Sequence, residues 1–370
     1  MLSFEKERLT GKVRTGILGL GTDGVPRISW VQEKTLCSVL SAGPVRDVEE
    51  FYRSALSLVR RRIRRVHFLA FDPHPLFISS QKAPDFRDSF FPESSLVPVY
   101  HHWAHAANGF WDIPRVKKFL AVVFDGTGYG CDGQVWGGEF FLCAPGGFRR
   151  LAHLSAQPLV GGDRGVLEPW RMAYLVLQEA QAGMAERFFD KIPEQKRFVI
   201  RRMKQAGLQT LPTSSAGRLF DAAAAILGLK QIVRRPAEAA QALEKAARHF
   251  RPAKSYDFPL KRPKRGPWVI ETTPVLVRMA KDRQQSRPAG QIAMKFHLGL
   301  AKSIFETSCA LAQEHGVADI YLCGGVFCNR LLTQVLRESF QTSRYVLHVA
   351  PEPTDKGLSR GQVAYGTFVR

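Results

Sequence analysis

Six apolar residues in succession, Phe119 to Phe124, run without a polar break into Asp125 and Gly126. A strand of that kind is buried on both faces, so it belongs inside a sheet with layers packed above and below it. "QVWGGEFFLCA" and "FRRLAHLSA" follow as strands of an antiparallel meander. A similar opening stands earlier in the chain. There "KVRTGILGL" and "PRISWVQE" flank the turn "GTDGV" as a β-hairpin, with further buried strands in "VHFLAFD" (66–72) and "SLVPVY" (95–100). A hairpin-type strand start thus occurs twice, near residues 20 and 126, which predicts two similar lobes.

Between and after these strands the pattern turns helical. "DVEEFYRSALSLVRRRIRRV" is amphipathic, with an acidic start and a basic end that suit the helix dipole. From about 166 to 312 the signal is mainly helical, broken by the loop-like "SYDFPLKRPKRGPWVIETTP". "QIAMKFHLGLAKSIFETSCALAQEHG" reads as one long helix with a glycine stop. A strand "DIYLCGG", a helix from Asn329, a strand "RYVLHVA" and a last helix after Asp355 complete an α/β order with a helical insertion.

Other features exclude whole classes of function. No apolar run approaches the ~18 residues of a membrane span. The start "MLSFEKERLTGK" is too acidic and polar for a signal peptide, so a cytoplasmic protein is expected. The six cysteines are scattered and form no C-x-x-C pair, which points to reduced thiols and neither a zinc ribbon nor a disulfide framework. A formal net charge of +20 attracts anions in general. The basic runs at 60–65, 201–204 and 261–265 lack aromatic interleaving and match no nucleic-acid module. They read as solvated faces, and nucleic acid is not expected as a partner.

The residues that carry chemistry cluster after strands. His101 and His105, in "VYHHWAHAANGF", are four apart. On a helix starting at "HHWAHAAN" they share a face one turn apart, the spacing at which two imidazoles grip one metal ion, while His102 points elsewhere. An isolated pair of this kind is more often a hydrogen-bonded surface feature. Here Asp125 ends a buried strand, where a carboxylate points into the crevice of an α/β sheet. Asp355 stands at a strand-to-helix turn, where a plain helix cap is the alternative. Two His and two Asp suit a divalent transition metal such as iron or zinc.

"DGTGYG" (125–130) is a glycine-rich turn after a strand, able to bring backbone N–H groups to a phosphate or simply to close a hairpin. "CGGVFCNR" (323–330) repeats the arrangement before a helix N-terminus. Neither has the P-loop Lys and Ser nor a G-x-G-x-x-G, so the pair would form a nucleotide site of another kind. In "GGDRGVLEPWRMA" and "TSSAGRLFDAAAAILGL", the residues Glu168, Arg171, Arg218 and Asp221 serve equally as ligand contacts or as caps and ion pairs.

In this order, "VYHHWAHAAN", "VVFDGTGYGCDGQVWGGEF", "GGDRGVLEPWRMA", "TSSAGRLFDAAAAILGL" and "CGGVFCNRLL" resemble the C-terminal carbamoyltransferase region of the HypF family of nickel–iron hydrogenase maturation proteins. "FDPHPLFIS" (71–79) and "IAMKFHLGLA" fit the same family, and the resemblance runs from about residue 12 to the C-terminus. It implies an actin-like ATPase fold: two ribonuclease-H-like lobes, 1–98 and 99–370, the second with a helical insertion at about 166–290, around an adenine-nucleotide cleft. His101, His105, Asp125 and Asp355 would be the catalytic metal ligands, holding iron or zinc, with or without magnesium. Gly126, Thr127 and Gly128 would hold phosphates. Gly324, Gly325 and Asn329 would line the nucleotide site, with Gly162, Arg218 and Asp221 nearby.

The implied activity is ATP- and metal-dependent carbamoyl transfer. A carbamoyl group would pass from carbamoyl phosphate or carbamoyl adenylate to the C-terminal cysteine of HypE, for synthesis of the cyanide ligands. Related families offer other acceptors: a small-molecule O-carbamoyltransferase of the TobZ type, a tRNA-modifying relative of TsaD, or a non-catalytic nucleotide-binding protein that holds a partner. "HHWAH" and "GGVFCNRLL" favour HypF over TsaD. The chain lacks the acylphosphatase, zinc-finger and YrdC-like regions of full-length HypF, so a natural short form is expected. Trp103 stands where the family has a third consecutive histidine, and Lys356 where it usually has glycine.

Overall fold

The computed structural model describes residues 2–9, 13–63, 65–251 and 254–369 of the 370-residue chain. Its first sheet contains β1 (Leu2–Arg8), β2 (Ile17–Gly21), β3 (Pro26–Gln32), β4 (Thr35–Ser41), β5 (Phe68–Phe71) and β6 (Ser95–Pro98), in the order β1-β4-β3-β2-β5-β6. The strands β2, β3 and β4 form an antiparallel meander, and β5 and β6 extend the sheet in parallel on the far side of β2.

The second sheet begins with β7 (Phe119–Tyr129), β8 (Val135–Ala144), β9 (Gly147–Leu154) and β10 (Gln157–Val160). It gains β11 (Thr210–Thr213), β12 (Leu260–Lys261), β13 (Trp268–Ile270), β14 (Asp319–Cys323) and β15 (Val346–Val349). Its main path is β12-β13-β9-β8-β7-β14-β15. Again the first three strands form an antiparallel meander, and two parallel strands, β14 and β15, join the far side of the first. The ribonuclease-H-like order thus occurs twice, in an α/β fold.

Why β7 sits centrally follows from its sequence. Leu120, Val122 and Phe124 enter the large core beneath the helical insertion, while Phe119, Ala121 and Val123 enter a second core containing Ala106 and Phe110. Alternation therefore sends Asp125 towards the face covered by the helix His101–Ala107.

Helices from Asp163–Leu167 to Thr273–Gln284 form the insertion, followed by the long helix Ala289–His315, which ends at a left-handed Gly316 (φ 60°). The last helix, Leu358–Phe368, lies between the first sheet and the histidine helix. A Cβ at Gly361 would stand 1.9 Å from Ala104 O, so only glycine permits this approach. A boundary at residue 98 consequently separates the two sheets but not their helical cover.

Several expected elements differ in extent. The first hairpin strand begins at Ile17; Lys12, where it was expected to start, lies outside the described residues, as does Arg64 of the first basic run. The helix expected over 47–66 spans Val48–Arg60, capped by Asp47, whose side chain accepts from Glu50 N. The loop-like stretch before Thr273 contains β12 and β13, because β13 finds an open sheet edge at β9. Among the described residues, no helix is long and apolar enough to cross a membrane.

Candidate functional site

The helix His101–Ala107 places His101 and His105 on one side, as their spacing predicts. Asp125 approaches from β7 and Asp355 from the short 3-10 turn Asp355–Gly357 that leads into the last helix. One ligand atom from each of these four residues lies within 4.8 Å of all the others. His101 Nε2 is 3.1 Å from Asp125 Oδ2 and 3.6 Å from Asp355 Oδ1; His105 Nε2 is 3.6 Å and 3.5 Å from the same atoms. The two histidines and Asp125 are buried, whereas Asp355 reaches the solvent-accessible side.

The charges in this cluster are set by competition. Burial opposes charge on Asp125 and on both imidazoles. The hydrogen bond with His101 and the nearby His105 ring nevertheless hold the Asp125 carboxyl well below its ordinary range. Burial also acts to raise Asp355, but the same two rings bring it down to about 2. His101 is raised well above the ordinary histidine value because Asp125, Asp355 and Asp72 outweigh its burial. Both carboxylates are therefore anionic at neutral pH.

This set fits a divalent transition metal. His105 Nε2 is a buried nitrogen without a hydrogen-bond partner among the described residues, its carboxylate neighbours lying beyond hydrogen-bonding distance. His101 Nδ1 meets Asp72 Oδ2 at 3.0 Å, which directs Nε2 inward. A carboxylate behind a histidine is the usual support that orients a metal-binding imidazole. Asp72 escaped the sequence reading, although it ends the strand region "VHFLAFD" much as Asp125 ends "FLAVVFD". His102 is fully buried beside Trp136, and Trp103 stacks on Tyr365.

Asp125 also belongs to a second feature, a cavity of about 760 Å³. Gly126, Gly217, Arg218, Asp221, Gly325 and Asn329 are among its lining residues, with Lys245 and Arg248 from the helical insertion. Asp125 Oδ1 accepts from Gly325 N at 2.9 Å, while Oδ2 faces the histidines. Arg218 is buried, and its Nη2 lies 2.8 Å from Asp221 Oδ2. Its Nε and Nη1 have no partner among the described residues. Burial raises Asp221 to about 6, against the pull of Arg218.

The remaining candidates are placed differently. "DGTGYG" is not a turn: β7 continues irregularly through it, and the chain reverses at Gly130–Gln134. Gly128 lies under the rings of His101 and His102, Thr127 is exposed, and Gly126 has open space before it. Gly324 packs on the Phe124 backbone and is not among the cavity-lining residues. Exposed Gly162 precedes the helix Asp163–Leu167, apart from that cavity. Asn329 lines the cavity, but its Oδ1 caps the helix Arg330–Gln341 by accepting from Leu332 N, and its Nδ2 donates to His297 Nε2. Glu168 and Arg171 pair at 2.8 Å beside a separate cavity of about 440 Å³.

Residues 121–362 match the family described as the carbamoyltransferase, Kae1-like domain, second subdomain. The chain is 32% identical over 310 residues to the carbamoyltransferase HypF homolog of Cupriavidus necator, covering 80% of this chain and 77% of that protein. It is 33% identical over 307 residues to carbamoyltransferase HypF of Rhodobacter capsulatus, but spans only 39% of that longer protein and 79% of itself. The structure of full-length HypF in its phosphate- and nucleotide-bound form superposes with a TM-score of 0.88 at 24% identity, covering 98% of this chain and 47% of that one.

Proposed function

Because the chain belongs to the HypF carbamoyltransferase family, we propose that it transfers a carbamoyl group, from a phosphate-activated donor in its cleft, to the C-terminal cysteine of HypE. The observation that carries this reading is the double role of Asp125, which joins the His/Asp cluster to the large cavity through one carboxylate. The cavity accommodates an adenine nucleotide, with open space before Gly126 and unpaired N–H groups on Arg218. Carbamoyl phosphate and ATP, or carbamoyl adenylate, are the donors that match this chemistry.

His101, His105, Asp125 and Asp355 would hold a divalent metal, with Asp72 orienting His101. Such an ion supplies positive charge for phosphate and carbonyl oxygens. Arg218 lines the cavity and is paired with Asp221 through Nη2, and its guanidinium supplies positive charge towards an anion bound there. The nucleophile comes from the partner. Burial raises the pKa of all six cysteines of this chain, so none is prepared to act as a thiolate. The incoming thiolate forms a bond to the carbamoyl carbon, and AMP or phosphate departs with the electron pair of the broken carbon–oxygen bond.

The test mixes the purified chain with HypE, ATP and labelled carbamoyl phosphate. Label on the terminal cysteine of HypE is expected, and the His105→Ala variant should lose both labelling and bound metal while keeping its fold. No label on HypE, with label on a small hydroxylated acceptor, would replace this reading with small-molecule O-carbamoylation. Unchanged metal content in His105→Ala would remove the metal assignment.

A further inference from the structure

The segment "GGDRGVLEPWRMA" has no part in the chemistry above, yet with the helix Glu194–Gln205 it lines the smaller cavity of about 440 Å³. Four charged side chains face that cavity: Arg164, Glu168, Arg171 and Lys196. Two of them cancel. Glu168 Oε2 accepts from Arg171 Nε at 2.8 Å and from Trp170 Nε1 at 3.2 Å, and Arg171 Nη1 donates to Val160 O at 3.4 Å. Arg164 and Lys196 are exposed, and neither side chain has an ion-pair or hydrogen-bond partner among the described residues. The cavity therefore carries two uncompensated positive charges.

Its remaining wall is apolar. Val199, Ile200 and Met203 line it, and Val199 is 51% exposed. Leu208 N donates to Met203 O at 2.9 Å, which keeps the exposed Leu208 beside that wall. Of the eight large apolar side chains that are exposed among the described residues, four (Phe198, Val199, Leu208 and Leu211) fall between 198 and 211. Such a concentration marks a contact surface. A small inorganic anion would use the two cations but leave these side chains in water. A polypeptide segment bearing both carboxylates and apolar side chains satisfies both.

The surface is also close to the reaction centre. Gln209 lines the smaller cavity, and β11 runs on from Thr210 to Thr213. Ser215 Oγ then donates to Gly126 O and, at 3.4 Å, to Asp125 O. Ser215 stands six positions after Gln209, so the two are at most about 20 Å apart. We propose that the smaller cavity and its apolar rim dock the protein that accepts the carbamoyl group, through an acidic segment of that partner interspersed with apolar side chains. This inference rests on the reading of transfer to HypE above. Carboxylates of the segment pair with Arg164 and Lys196, and its apolar side chains cover Val199 and Leu208. A terminal tail of about seven extended residues is then long enough to carry the thiol to Asp125. The charges steer the encounter, and docking raises the concentration of thiol at the cleft.

The experiment measures labelled carbamoyl transfer to HypE by the full chain, with HypE and the carbamoyl donor varied in turn. Three variants are compared: Arg164→Glu with Lys196→Glu, Val199→Asp, and a control that reverses the exposed Lys264 and Arg265 to Glu. The first should raise KM for HypE at least about tenfold, because like charges then face the acidic segment. Its kcat at saturating HypE, donor KM, bound metal, nucleotide affinity and melting temperature should match the wild type. Val199→Asp should raise KM for HypE in the same way, and the control should leave it at the wild-type value. An unchanged KM for HypE in the first variant would overturn the inference while leaving carbamoyl transfer standing. So would an equal rise in the control, which would mark a general effect of net charge, or a raised donor KM, which would mark a site for the small anion. An unchanged KM for HypE in Val199→Asp would overturn the apolar contact and with it the mixed segment. A wild-type chain that labels no thiol would overturn the transfer reading, and this inference with it.

Discussion

Gly128 and Gly126 lie two residues apart in one glycine-rich motif, yet the structure gives them opposite sensitivities. A Cβ at Gly128 would stand 2.6 Å from His102 Cε1 and 2.7 Å from both Cγ and Cδ2 of His101. Ordinary contact begins at 3.4 Å, so the His101 ring would have to retreat by 3.4 − 2.7 = 0.7 Å. It cannot do so freely, because Asp72 holds it at 3.0 Å and Asp125 at 3.1 Å. A shift of that size strains or breaks these bonds. Overpacking of this kind costs about 1–3 kcal/mol. Gly128→Ala is therefore expected to lower the melting temperature by a few degrees, on the order of what that energy implies. It should also weaken metal binding by at least about tenfold, since displaced ligands lose their geometry. Gly126→Ala meets nothing within 4 Å and should melt and bind metal like the wild type. Its added methyl faces the cavity, so any loss should appear in nucleotide affinity alone. Thermal melts, zinc titration and nucleotide calorimetry on the two variants decide the matter. Wild-type melting and metal affinity in Gly128→Ala would refute the reasoning.

Two further outcomes follow from buried polar groups. Asp72→Asn should weaken metal affinity by about 10–100-fold without unfolding the chain, because it removes the anion behind His101 while preserving its size; metal titration checks this. His297 is lowered to about 4 by burial, which the hydrogen bond to Ala293 O only partly offsets. Below the ordinary value of about 6.5, the unfolded chain binds a proton that the folded chain refuses. The His297 contribution is therefore intact above that pH and lost as pH falls through about 4, a total on the order of 3 kcal/mol. Urea unfolding at about pH 7.5 and about pH 4.5 should show a smaller acid loss in His297→Gln than in the wild type.

What the sequence determined by itself was local and periodic. The unbroken apolar run before Asp125 dictated a strand covered on both faces, and its alternation directed Asp125 towards one of them. The four-residue spacing of His101 and His105 dictated a shared helical face. Both signals depend only on the geometry of one element, so they are readable without the rest of the chain. The family motifs, in order, likewise marked the α/β fold and the HypF family.

Tertiary structure decided which of the glycines meet solvent and which meet side chains. "DGTGYG" contains an open Gly126 and an occluded Gly128, a difference that arises from the histidine helix packing across β7 and is invisible in the motif. Gly324 is likewise spent on the Phe124 backbone, and Asn329 on a helix cap and His297. Asp72 gained its place because parallel pairing sets β5 beside β2 and brings the residue after that strand to His101. Asp355 reached the same point from the far end of the chain, carried by a helix that fits only because Gly361 lets it press on Ala104. A metal-sized gap needs four atoms within a few ångströms, and residues separated by up to 254 positions meet there only through the packing of both sheets, which no local pattern encodes.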